Sequence, residues 1–130
     1  MRCSQITATT FFIPVIVAIV YKRWPDVIVL SIQGCTSYIH HSHYTQTTLI
    51  IDRAAIFALT LRSLYIAVQS YYTMALVIVS YGYLCIMYIY GFYNKCFSFD
   101  SREIVADRYH ASTHIVGIFI YSGSMIWFLE

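Results

Sequence analysis

The sequence predicts an all-α fold, a polytopic transmembrane helix bundle of about five helices, with residues 1–130 forming a single transmembrane domain. Three observations carry that expectation. Charged residues make up 11% of the chain, against about 25% in a soluble domain, too few to cover a solvated surface. Several apolar runs approach the ~20 residues needed to cross the hydrocarbon core. Thirteen tyrosines and two tryptophans suit a chain with many membrane interfaces, where amphipathic rings settle. The net charge of +2 is small and dispersed, so no basic tract offers itself to nucleic acid. Cys3, Cys35, Cys85 and Cys96 show no C-x-x-C spacing, and those within apolar runs are expected to be small packing residues.

The elements follow in order. A first helix is expected from about Ile6 to Tyr21, with Pro14 inside it, which a membrane helix tolerates when neighbours satisfy the freed carbonyl. Val20, Tyr21, Lys22, Arg23 and Trp24 follow instead of a small-x-small cleavage site, so this helix reads as retained and not as a cleaved signal. Pro25 suits the first turn of a second helix running to about His41. A polar link from Ser42 to Thr48 leads to a third helix, Leu49 to Val68, which carries Asp52, Arg53 and Arg62 and therefore needs one face buried in protein. The fourth helix is expected from Tyr71 to Tyr93. A polar loop through Asp107 precedes the fifth, Arg108 to Leu129.

Ionisable groups inside membrane helices cost on the order of 3 kcal/mol each and mark buried function. Ser37 and His41 are spaced i, i+4 and share one helix face. Asp52 lies near the start of the third helix. His110 and His114, again i, i+4, open the fifth, a spacing that lets two imidazoles reach one metal from one face. If the helices alternate in direction, the end of the second and the starts of the third and fifth meet at one leaflet. His41, Asp52, His110 and His114 then share a depth. Three imidazoles with an open position make a catalytic zinc site, a nearby carboxylate can orient or deprotonate its water, and a serine hydroxyl can hydrogen-bond an oxyanion. His40 and His43 remain alternatives to His41, since a 100° rotation of the second helix exchanges neighbours on its surface. Each polar residue also has a plainer reading: interfacial histidines, an Asp52–Arg53 ion pair, a serine bonded to its own backbone.

Taken together, Ser37-Tyr38-Ile39-His40-His41, then Asp52, then His110-Ala111-Ser112-Thr113-His114 resembles the superfamily of alkaline ceramidases, adiponectin (progestin) receptors and haemolysin III proteins. The run Ile51 to Phe57 is similar to the third helix of the receptor and haemolysin III branches, and the eleven-residue step from His41 to Asp52 to the alkaline ceramidases. The resemblance covers the second, third and fifth helices. It implies zinc on His41, His110 and His114, a zinc-bound water held by Asp52, and Ser37 beside it assisting substrate or oxyanion. The implied reaction is hydrolysis of a lipid amide such as ceramide. Family members generally have seven helices, so the five expected here leave a pair missing between Asp52 and His110. That pair would form part of the wall around a lipid pocket, which a homo-oligomer would restore. A receptor-like or purely structural membrane subunit, with the polar cluster only pinning helices together, is the competing expectation.

Overall fold

A computed structural model describes residues 3–127, and among them every regular element is helical. The chain forms five helical legs. The first is split into α1 (Cys3–Thr9) and α2 (Phe12–Val20). The second and third are α3 (Trp24–Ser42) and α4 (Gln46–Ala67). The fourth runs through α5 (Tyr71–Cys85), a π-helical turn (Ile86–Tyr90) and α6 (Gly91–Asn94). A 3-10 turn (Phe97–Phe99) leads to the fifth, α7 (Glu103–Trp127).

Local chemistry explains most boundaries. Pro14 has no N–H to return to the Thr10 carbonyl, and its ring crowds that carbonyl. The chain therefore tightens to three-residue bonds at Thr10, Phe11 and Ile13, which splits the single first helix expected from sequence. Lys22 takes the left-handed conformation (φ 54°) and ends α2 in a Schellman motif, with Arg23 N bonded to Ala18 O at 2.8 Å. Pro25 occupies the first turn of α3 as expected. Thr45 and Thr48 cap α4 reciprocally, so that helix begins three residues before Leu49. Gly91 lets the chain fold back tightly, since a Cβ there would lie 2.9 Å from the Cys96 carbonyl oxygen. α7 begins at Glu103, earlier than the expected Arg108, with an acid in its first turn where the helix dipole favours one. Its expected end at Leu129 lies outside the described residues.

The legs close into a ring: α1 and α2 pack on α3, α3 on α4, α4 on α5, α5 on α7, and α7 back on α1 and α2. The larger apolar core joins Val15, Ala18, Leu30, Ile66, Tyr121 and Met125, and a smaller one joins Ala67, Val77 and Ile120. Large apolar side chains also cover the outside. Ile16, Ile28, Phe57, Val79 and Phe119 are all more than half exposed. Among polar residues, Asp26, Gln33, Ser37, Asp52, Thr73, Thr113 and His114 are buried. Cys35 and Cys85 lie on the outer surface, not in the packed interior, and all four cysteines are free thiols. Two stretches, Cys3–Val20 and Tyr71–Phe99, are long and apolar enough to cross a membrane by length and composition.

Candidate metal centre

α3 and α7 run antiparallel, so the end of the first meets the beginning of the second. That meeting brings His41, His110 and His114 together, with one ligand atom from each within 4.8 Å of the others. His41 Nε2 and His110 Nε2 are 3.2 Å apart. Nitrogens held tetrahedrally at about 2.0–2.1 Å from zinc would be about 3.3–3.4 Å apart. One edge of the triangle is thus close to the metal-site length. The ring centroids are 4.9, 5.0 and 5.2 Å apart, a mutual packing of three imidazoles and not a chance pair.

The rings of His114 and His110 are held from behind, and His41 is held through its backbone. His114 Nδ1 lies 3.0 Å from Thr7 Oγ1, and Phe11 packs edge-on against the same ring at 5.6 Å between centroids. Gly34 makes room for Phe11, whose Cβ would stand 3.3 Å from any Cβ at that position. His110 Nδ1 lies 3.0 Å from the Tyr88 hydroxyl. The carbonyl of His41 accepts a bond from Gln5 Nε2 at 3.0 Å, which ties the end of α3 to α1. α1 is tied in turn to α7: the Asp107 carboxylate accepts from the backbone N–H groups of Cys3 (2.6 Å) and Ser4 (3.2 Å).

The other expected residues are placed as follows. Asp52 is buried on α4 and faces α3, its Oδ1 accepting from Gln33 Nε2 (3.2 Å) and Thr36 Oγ1 (3.4 Å). The cluster that could hold a metal consists of His41, His110 and His114 and does not include Asp52. Arg53 is exposed. Ser37 is 1% exposed, one turn before His41, and its Oγ has no hydrogen-bond partner. Gln33, one turn earlier on the same face, is also buried, with Oε1 unpartnered. Of the alternatives to His41, His40 turns toward Thr48 Oγ1 (3.4 Å) and Tyr44, and His43 is exposed at the end of α3. His41 is the member of that trio that joins His110 and His114.

Two grooves of about 420 and 310 Å³ run between α5 and α7. Tyr83, Arg108 and Ser112 help line the first, Leu76, Phe119 and Gly123 the second, and neither includes a residue of the histidine cluster.

A second polar cluster was not anticipated from sequence. Asp26, fully buried at the start of α3, accepts from Arg23 Nε (2.7 Å), Arg62 Nε (2.6 Å) and Nη2 (3.1 Å), and Tyr121 OH (3.4 Å). The signal that could have found it was Arg62, which needed an acid at its own depth, and Asp26 is spaced i, i+3 from Arg23.

No protein-family model, curated protein or solved structure matches this chain.

Proposed function

We propose that the chain is a multi-pass integral membrane protein whose His41, His110 and His114 hold zinc, and that the centre hydrolyses an amide in a membrane lipid of the ceramide type. The observation that supports it most is the convergence of these three imidazoles, from two helices, at a spacing close to a tetrahedral metal edge. The likeness of this residue set to the alkaline ceramidase, adiponectin receptor and haemolysin III superfamily points to the same chemistry. The membrane assignment draws support from the inverted surface, with aliphatic and aromatic residues outward and polar ones inward. The stretches Cys3–Val20 and Tyr71–Phe99 add to it, being long and apolar enough to cross a hydrocarbon core.

A zinc ion bound there would supply Lewis acidity and a water acidified toward neutrality. The protein residues have separate tasks. Asp52 keeps one carboxylate oxygen engaged by Gln33 and Thr36, and its other oxygen would accept a proton from the attacking water. Ser37, buried and unpartnered, has a hydroxyl proton available for a substrate carbonyl oxygen as negative charge develops. Gln33 Oε1, one turn away, would accept from the amide N–H.

Purified protein should contain about one zinc per chain by elemental analysis and turn over a member of a fluorescent ceramide panel. Absence of zinc in protein purified without chelators would remove the basis of the proposal. A second reading is supported by the contacts that tie α3 and α7 to α1 beside the histidines, from Gln5 to the His41 carbonyl and from the Cys3 and Ser4 N–H groups to Asp107. In it the centre is a structural clasp between α3 and α7 in a receptor-like protein. Zinc would then be present but no panel substrate consumed, and Asp52→Asn would change nothing.

A further inference from the structure

A neutral imidazole carries one N–H, and only its other nitrogen can bind a metal. The network behind the cluster decides which nitrogen that is. Thr7 has a single hydroxyl proton, and its Oγ1 lies 3.0 Å from Cys3 O and 3.2 Å from Ser4 O. Carbonyl oxygens only accept, so that proton is committed to the backbone of α1. Toward His114 Nδ1 the hydroxyl therefore presents a lone pair, and Nδ1 must be the protonated nitrogen. The same logic runs through three residues at His110. Thr113 Oγ1 donates to the His110 carbonyl at 2.6 Å. Thr113 Oγ1, its own proton so taken, is left with lone pairs that can accept from Tyr88 OH, 3.3 Å away. The Tyr88 oxygen is left to accept from His110 Nδ1–H at 3.0 Å. Both rings thus turn a bare Nε2 away from their hydroxyl partners, and His41 Nε2–H is the donor in the 3.2 Å contact with His110 Nε2.

Two irregular features of the backbone serve these contacts. Tyr88 lies in the π-helical turn Ile86–Tyr90, where the wider winding redirects side chains relative to a regular helix. Phe99, from the 3-10 turn, packs edge-on against the Tyr88 ring at 6.2 Å. Thr7 sits on the short α1, whose first N–H groups are held by Asp107, seven residues before His114 and so on nearly the same face of α7. One helix therefore carries both the ligand and the anchor of the residue behind it.

We propose that Thr7 and Tyr88 are positioning residues that lock His114 and His110 in the Nδ1–H tautomer and so pre-set both Nε2 lone pairs for one ion. The inference rests on the metal-centre reading above. Its test uses the full chain in detergent micelles with ¹⁵N-histidine. In metal-free wild type, two-bond ¹H–¹⁵N correlations should show His110 and His114 as Nδ1–H tautomers. Tyr88→Phe should return His110 to a tautomer mixture and leave His114 unchanged, and Thr7→Val should do the reverse. Titration with Co(II) and Zn(II) should show each variant binding about 10–100-fold more weakly than wild type, the usual effect of removing an outer hydrogen bond from a metal-bound histidine. The Co(II) visible spectrum should shift in both. A wild-type His110 or His114 protonated at Nε2 overturns the proposal with no variant needed. Wild-type affinity and spectrum in both variants overturn it too, while leaving the metal centre in place. A wild type that binds neither ion overturns the metal centre itself, whatever the tautomers.

Discussion

The two ends of the ring hold polar clusters of opposite character. They stand about 22 Å apart along α3, between Asp26 and His41. Around Asp26, both carboxylate oxygens are engaged by two guanidinium groups and a phenol, beside the larger apolar core. Its charges are compensated in place, and it joins α3, α4 and α7. Around His41 three imidazoles meet, the hydroxyl partners of His110 and His114 lie on the far side of those rings, and Ser37 and Gln33 nearby keep buried polar atoms without partners. A buried unpaired polar atom costs about 1–3 kcal/mol, so Ser37 Oγ and Gln33 Oε1 carry a cost that the engaged Asp26 carboxylate does not.

Substitutions can break or sharpen that contrast. The largest effect is expected of His114→Ala or His41→Ala, which should reduce bound zinc from about one per chain to none by elemental analysis, with helix content retained by circular dichroism. Zinc retained in both variants would mean that the histidines are only packed rings. Next, Asp52→Asn should keep zinc and lower turnover of the fluorescent ceramide substrate about 10²–10⁴-fold, the range for losing a general base. Asp26→Ala removes the carboxylate that holds Arg62 and should destabilise the fold by about 3–5 kcal/mol, read as an earlier unfolding transition in a denaturant titration of the micellar protein. Folded Asp26→Ala should still bind zinc, and if it does not, the two ends are not the separate units described above. The smallest effect belongs to Thr45→Ala, which removes the α4 cap. It should cost about 1 kcal/mol in the same titration and leave zinc untouched.

How much of this was legible in the sequence depended on whether the signal was periodic, charged or purely spatial. The five legs were legible because apolar length sets them, and i, i+4 spacing placed His110 with His114. Alternation of direction then put His41 at their depth. The start of α7 was missed because Ile104, Val105 and Ala106 are a short apolar run among the charges of Asp100, Arg102, Glu103, Asp107 and Arg108, and such a charged stretch reads as loop until the helix dipole and an Asp107 contact to another leg are considered. The split of the first helix was foreseeable from Pro14, but a tight three-residue turn and a continuous kinked helix share that signal. Tyr88 is one of thirteen tyrosines and Thr7 one of many threonines, and only proximity to a ring nitrogen distinguishes them. The π-helical turn that aims Tyr88 has no signature in composition at all. Asp26 was passed over because it sits beside Pro25 in the first turn of the second helix, where an acid is commonplace, although Arg62 called for such a partner.

The Asp26–Arg62 pair also bears on how the chain closes on itself. α3 and α4 are joined by only His43, Tyr44 and Thr45, and the pair ties their far ends together. The two helices are thus clasped at both ends, by a three-residue link at one and by a guanidinium on a carboxylate at the other. Opening the far end would leave Arg62 without the carboxylate it holds, while Asp26 would keep Arg23. The histidine centre is therefore built against a hairpin whose spread is already fixed.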